Sequence, residues 1–417
     1  MTSSRALILT LCLAARLAQA HALEPTRLIV TCQADSSLED CLSQAQASGG
    51  DAVRVLPLIH AVVVEIPPAR LFAAQEALAS SASVERTDPD PKVRWLKSLP
   101  DFTIPVPDLR ELKKNLSEIR KPDAAGSYSE IPWGVRRVGA EAAWARTRGE
   151  GSAIAVIDTG IDDSHPDLAG QVAGGFNALS PDRPQSWRDD EGHGTHVAGT
   201  IAAKRDGRGV VGVAPGAKLY AVKVLDKNGS GRYSDVIAGI EWAASRGIRI
   251  ANMSLGSAEG SEPLHRAVKA ALKAGLLIIA AAGNSGGAVD FPGAYPETLA
   301  VAASDENDLV ADFSSRGPQV NFIAPGVDIL STKMGGGYVR FSGTSMATPH
   351  VAGLAALAES VGATSPSAIR AALASAAKPL AGLTSAMQGR GMVLAGNLVN
   401  PKSRRDESGE RLASLTR

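Results

Sequence analysis

The sequence predicts an α/β protein with a largely parallel sheet covered by helices, preceded by a small α+β unit. Three observations carry that expectation. From about residue 131 to 399, strand-length apolar runs alternate with longer helix-period stretches, the order of a sheet with crossover helices. Many glycines and alanines in this region permit close helix–sheet approach. Residues 27–95 instead carry short alternations of the two kinds of element, compact enough to fold alone yet small enough to be marginal.

Taken in order, residues 27–31 and 61–66 read as strands, and 37–47 and 68–80 as helices. Pro68 suits a first helical turn, where its missing N–H costs nothing. From Asp88 to Pro107 five prolines, at 89, 91, 100, 105 and 107, predict an irregular connection. Leu109, Leu112, Leu116 and Ile119 then recur at helical spacing inside a linker that runs from 96 to 130. In the main region, 152–157, 218–224, 248–253, 276–281 and 298–303 are expected strands. Stretches 193–203, 233–245, 263–274 and 345–360 are expected helices, and the charged tail 400–417 looks dispensable.

The 417 residues carry 43 basic and 43 acidic side chains. This balance provides no global attraction to nucleic acid or to an anionic membrane. Residues 1–22 read as a targeting segment that implies secretion. Arg5 is the positive end, 6–15 the apolar stretch, and Ala18-Gln19-Ala20 or Ala20-His21-Ala22 a small-x-small cleavage site. The apolar part is too short to span a bilayer, and the competing reading is a buried first helix. No later segment is a persuasive membrane helix; 276–283 has the length of a buried strand. Cys12 would leave with the targeting segment. Cys32 and Cys41 are compatible with a disulfide in an oxidising compartment or with two core thiols.

Three places carry chemistry. An apolar strand ends in Asp158-Thr159-Gly160, which puts a carboxylate at the carboxyl edge of a parallel sheet, where such folds build their sites. His193 and His196 open a helix of small and apolar residues. As a metal pair they lack a third ligand, so His196 reads as a packed structural histidine. Ser345 starts a further helix after Gly343-Thr344, where alone it would read as a cap. Together these positions supply nucleophile, base and orienting carboxylate. Asn284, after a strand and a glycine turn, offers an amide to an oxyanion, with the Ser345 N–H as second donor.

In DTGID at 158–162, HGTHVAGT at 193–200 and GTSMATPHVAG at 343–353, the sequence resembles the subtilisin family of serine peptidases. GVAPGAKLYAVKVL at 212–225, NMSLG at 252–256 and AAAGN at 280–284 match the intervening blocks. The resemblance covers roughly 131–399 and implies the three-layer subtilisin-like fold and peptide-bond hydrolysis of broad specificity. It implies that Asp158 orients, His193 transfers protons, Ser345 attacks and Asn284 holds the oxyanion. Ser254, Leu255 and Gly256 would pair with an extended substrate across from Gly229, Ser230 and Gly231. Tyr233 would border a more distant apolar subsite, unless it is an ordinary surface aromatic.

Residues 27–95 look like the inhibitory, chaperone-like propeptide of many such enzymes, with self-cleavage expected between 98 and 130. Two departures stand out. Asp290 aligns near the bottom of the primary specificity pocket, where an acid favours Lys or Arg, although it could instead face solvent. The family's calcium site maps to Asp167 and Asp206, with backbone carbonyls of Lys204, Arg208 and Val210; Ser129 stands where a glutamine ligand is usual. Implied partners are protein and peptide substrates and the propeptide itself. The competing functions are an inactive peptide-binding domain, disfavoured because every catalytic position is filled, and a narrowly specific processing protease.

Overall fold

The computed structural model describes residues 24–96 and 131–399. The targeting segment 1–22, the amphipathic stretch 109–119, Ser129, the expected cleavage region 98–130 and the tail 400–417 lie outside the described residues. The chain divides into two compact units, with the boundary after Pro91.

The first unit is an antiparallel sheet of four strands: β1 (Thr26–Cys32), β2 (Asp51–Leu56), β3 (Ala61–Ile66) and β4 (Val84–Pro89). Their spatial order is β2-β3-β1-β4. The central strands are the apolar ones, and Val30, Val62 and Val64 are wholly buried. Helices Leu38–Ala47 and Leu71–Ala79 close one face through Cys41, Ala45, Ala74 and Leu78. Ser37 caps the first helix, its hydroxyl accepting from the Asp40 N–H at 3.0 Å. Cys32 and Cys41 form a disulfide, which ties the end of β1 to that helix.

Two expectations need correction. The predicted helix 68–80 begins with a separate 3₁₀ turn, Pro68–Arg70. The stretch 88–107, expected to be irregular, starts inside a strand: Asp88 and Pro89 pair with Ile29 and Leu28. β4 is an edge strand, where a proline's missing N–H is tolerated and one-sided burial leaves little apolar pattern to read. Residues 92–94, inside the expected span 27–95, form a strand of the second unit.

The second unit contains β5 (Lys92–Arg94), β6 (Ala153–Asp158), β7 (Val172–Asn177), β8 (Lys218–Lys223), β9 (Ser230–Arg232), β10 (Ile250–Met253) and β11 (Leu277–Ala281). It continues with β12 (Leu299–Ser304), β13 (Val320–Pro325), β14 (Ile329–Thr332), β15 (Tyr338–Phe341), β16 (Ala377–Lys378) and β17 (Met392–Val393). Nine of these make one sheet, ordered β16-β17-β13-β12-β11-β10-β6-β8-β7. Every pairing from β17 to β7 is parallel, and only β16 runs against its neighbour.

Helices cover both faces, giving three layers. His193–Ala202 and Thr344–Ser360 pack together on one face, and Tyr233–Ser245 and Glu262–Lys273 on the other. The nine predicted strands and helices of this region all occur, each within two residues of its expected ends. β7 and β13 were not foreseen. β7 contains Gly174-Gly175, which sequence propensity rejects as strand. Packing demands the second glycine: a Cβ on Gly175 would lie 2.4 Å from the Ala221 carbonyl and 2.6 Å from the Trp187 ring.

The central strand β6 has β8 on one side and β10 on the other. The chain leaves β6 for β7 on one side while β10 leads to β11 on the other, so the connections diverge between β6 and β10 and a crevice opens at their carboxyl ends. No helix among the described residues is long and apolar enough to cross a membrane.

The Cys32–Cys41 bridge closes a short loop, so replacing both residues with serine should lower the stability of the first unit by about 2–3 kcal/mol. Amide exchange in β1, measured on the Ser345→Ala chain to prevent self-digestion, reads the effect; unchanged protection would contradict it.

Candidate active site

Asp158 is the last residue of β6 and is wholly buried. Burying a carboxylate is costly unless donors meet it. One oxygen, Oδ1, accepts from the Thr159 N–H at 2.7 Å and lies 2.8 Å from His193 Nδ1. His193 is the first residue of its helix, preceded by Gly192 at φ 112°, a left-handed conformation that favours glycine. The helix can come this close only because its second residue is also glycine. A Cβ on Gly194 would sit 2.1 Å from the Gly160 carbonyl oxygen.

Burial alone would suppress the imidazolium of His193. Asp158, and then Glu191 and Asp189, outweigh burial and hold its pKa above the ordinary value. Glu191 touches the same residue, its carboxylate accepting from the His193 N–H at 2.8 Å. Asp189 braces the helix start, accepting from the N–H groups of Gly192 and Thr195. Neither acid was singled out from the sequence, although both stand in the run Asp189-Asp190-Glu191 just before His193.

His196 behaves as expected of a structural residue. It is fully buried, its Nε2 lies 2.9 Å from the Ile329 carbonyl, and its ring stacks on Phe341. Burial pushes its pKa down to about 3.

Ser345 is the second residue of helix Thr344–Ser360, after Gly343. Its hydroxyl donates to the Ser254 carbonyl at 3.1 Å, and its own carbonyl accepts from the Ser254 hydroxyl at 2.8 Å. The segment after β10 is thereby pinned to the serine. Asn284 follows the left-handed Gly283. Its side-chain oxygen accepts from both the N–H and the hydroxyl of Thr344, at 2.9 and 2.8 Å. That fixes the amide of a residue that lines the cleft. A point one Cβ off Gly343 is 3.5 Å from Asn284 Nδ2 and 3.6 Å from Ser345 N, so the two donors flank one spot. Thr344 is a positioning residue that sequence reading missed.

His193, Asn284, Ser345, Leu255, Gly256 and Asp290 all line one cavity of about 410 Å³. β5 runs along it, antiparallel to β9: Val93 pairs with Gly231 and Arg94 with Ser230. Trp95 N–H donates to the Gly229 carbonyl at 3.0 Å, and Gly256 N–H donates to the Trp95 carbonyl at 3.3 Å. The segment 92–96 is thus held by backbone bonds from the two edges expected to grip a substrate. Gly229 must be glycine, because a Cβ there would lie 2.7 Å from that of Leu96. Tyr233 is no surface aromatic. It is buried, and its ring meets Trp95 edge-on at 5.0 Å.

The residues mapped to calcium also gather. Asp167 accepts from the Val210 N–H at 3.0 Å, and its carbonyl accepts from the Lys204 N–H. Asp206 accepts from the Arg208 N–H and pairs with the Lys204 ammonium at 3.6 Å. Sequence reading missed Tyr338. Burial first, then Asp167 and Asp206, push its phenol up to about 12. Asp167 and Asp206 carry carboxylate oxygens of the kind a hard cation takes, but the Lys204 ammonium already pairs with Asp206 and no cluster of three or more His, Cys, Asp or Glu occurs among the described residues.

A model of the subtilase family matches residues 149–393. The chain belongs to the subtilase family. It is 50% identical over 257 residues to a thermostable alkaline protease of Halalkalibacterium halodurans, covering 61% of this chain and 70% of the relative. It is 48% identical over 237 residues to an intracellular serine protease of Paenibacillus polymyxa, covering 55% and 73%. To subtilisin E of Bacillus subtilis it is 46% identical over 258 residues, covering 60% and 67%. This subtilase is accordingly a serine endopeptidase.

Because the imidazole must be neutral to accept a proton, its raised pKa moves the acidic limb of kcat/KM above the ordinary imidazole value of about 6.5. Glu191→Gln removes one of the charges that raise it, so the limb should shift to lower pH. A pH–rate profile checks this; a shift upward would contradict the assigned field.

Proposed function

We propose that this subtilase is secreted as a self-processing precursor and cleaves proteins through an acyl-enzyme on Ser345. The observation that carries the reading is the meeting of His193, Ser345 and Asn284 in one cavity, with Asp158 bonded behind His193, beside a peptide strand bound by its backbone. Rotation of the Ser345 hydroxyl away from the Ser254 carbonyl presents it to His193. His193 takes its proton as Oγ attacks the scissile carbonyl, then returns a proton to the leaving amine. Asp158 stays ionised, fixes the tautomer with its bond to Nδ1 and stabilises the imidazolium. The developing oxyanion receives the Asn284 amide and the Ser345 N–H.

Gly229, Ser230 and Gly231 on one side, and Ser254, Leu255 and Gly256 on the other, align substrate as an added strand. Tyr233 walls the far end, where Trp95 now rests. Residues 27–95 act as the inhibitory propeptide. Support comes from the segment 92–96, which already uses the bonds an incoming substrate needs. Export is favoured by residues 1–22 and by the disulfide, a bond typical of oxidising compartments. The alternative of an inactive peptide binder would leave the Asn284 and His193 arrangements without purpose.

Ser345→Ala should abolish casein hydrolysis and self-processing together. Asn284→Ala should keep substrate affinity but lower kcat by about 10²–10³-fold. Processing of the Ser345→Ala precursor to the wild-type N-terminus, in cells lacking other proteases, would remove the self-activation reading.

For the loop by Tyr338 we propose one structural calcium, held by Asp167, Asp206 and the carbonyls of Lys204, Arg208 and Val210. Bound there, the ion supplies charge that pins the loop and takes no part in hydrolysis. Chelation should lower the Tm of the Ser345→Ala protein; an unchanged melting curve would contradict the site.

A further inference from the structure

We propose that a second cavity, between β13 and helix Pro366–Ala376, binds a tetrahedral oxyanion, sulfate or phosphate, through Arg370 and Arg390. This cavity of about 400 Å³ shares no lining residue with the catalytic cleft. Leu299, Asn321, Phe322, Ser367, Arg370 and Arg390 belong to its wall. Among the described residues, its only charged lining groups are the two guanidiniums. They come from separate segments, one from the helix and one from the turn before β17.

Neither guanidinium has a carboxylate partner among the described residues. Arg370 is half-buried and donates to the carbonyls of Thr298 and Glu297, at 3.1 and 2.6 Å. Those neutral acceptors occupy two of its nitrogens without cancelling its charge. The Glu297 carboxylate is itself engaged by His265 at 2.9 Å. Burial pushes the Arg370 pKa down, against the opposing pull of Glu297. A cation drawn out of water without a counterion is costly, and an anion in the same cavity offsets that cost. Arg390 is exposed, and its side chain bonds to no described residue.

The surroundings add donors on a rigid frame. Arg390 N–H donates to the Asn321 carbonyl at 2.9 Å, and the Gly391 carbonyl accepts from Ile323 N–H at 3.2 Å. Gly389 is pressed against the same strand, where a Cβ would lie 2.3 Å from the Asn321 carbonyl carbon. The Asn321 side-chain oxygen accepts from Ala300 N–H at 2.7 Å, so its NH₂ is what it has left to offer. Ser367 is the second residue of an 11-residue helix and contributes a hydroxyl near the positive end of the helix dipole. Guanidinium forks bind oxyanions through paired N–H groups. A tetrahedral oxyanion has oxygens for both forks at once, whereas chloride offers a single centre.

The test is calorimetric titration of the full Ser345→Ala chain with sodium sulfate and, separately, sodium phosphate, at an ionic strength held constant with chloride. Saturable binding is expected, weakened about 10-fold or more when Arg390→Gln is added. The bound ion should also raise Tm, and the rise should shrink in the Arg390→Gln form. Binding of one ion alone supports the site and selects that ion. Casein hydrolysis by the otherwise wild-type Arg390→Gln enzyme should be unchanged, which shows that the variant folds. Binding of neither ion would overturn the proposal. So would equal affinity and an equal Tm rise with and without Arg390, the mark of a general salt effect.

Discussion

The catalytic unit is organised around one buried charge. Asp158 is cut off from water at the carboxyl end of the central strand, and its ionised form survives there only if donors are delivered to it. Thr159 supplies one from the next residue, and His193 supplies the other from a helix that must approach within hydrogen-bond range. That approach fixes much else. It requires glycine at 194 against the Gly160 carbonyl, and it draws Asp189 into capping the helix start. Lys223, buried close by, donates to the carbonyls of Thr159 and Leu225 and pairs with Asp190. The loop around the carboxylate is thus tied down on several sides.

On the opposite wall, rigidity is achieved without charge. Ser254 and Ser345 exchange hydrogen bonds, and Thr344 holds the Asn284 amide in one orientation. The Asn284 amide and the start of the Ser345 helix are therefore fixed relative to each other. The charged half of the site sets proton affinity, while the neutral half sets geometry. Glu191 belongs to the first half and Thr344 to the second, and both act through a neighbour.

Segment 92–96 is held chiefly by main-chain groups. Gly229, Gly231 and Gly256 meet the segment 92–96 through their peptide units, so that the segment is bonded from both edges. Backbone pairing of this kind accepts many sequences.

The sequence alone determined the catalytic core. Long apolar strands buried on both faces and helices bounded by glycine are legible because their pattern is local, and the residues of the triad stand in contiguous motifs. Edge elements were not legible. β4 and β7 are polar or glycine-rich, and become strands because a neighbouring strand, or a ring such as that of Trp187, leaves no other place for them. The same holds for pairings across the chain. Spacing left Cys32 and Cys41 open between thiols and a disulfide, and only the packing of helix Leu38–Ala47 against β1 brings their Cα atoms to 5.8 Å. Asp290 was open between pocket and solvent in the sequence. Tertiary structure places it against Gly256 and Gly283 in the cavity wall, because the loop that carries it is bonded at both ends to strands far apart in the chain.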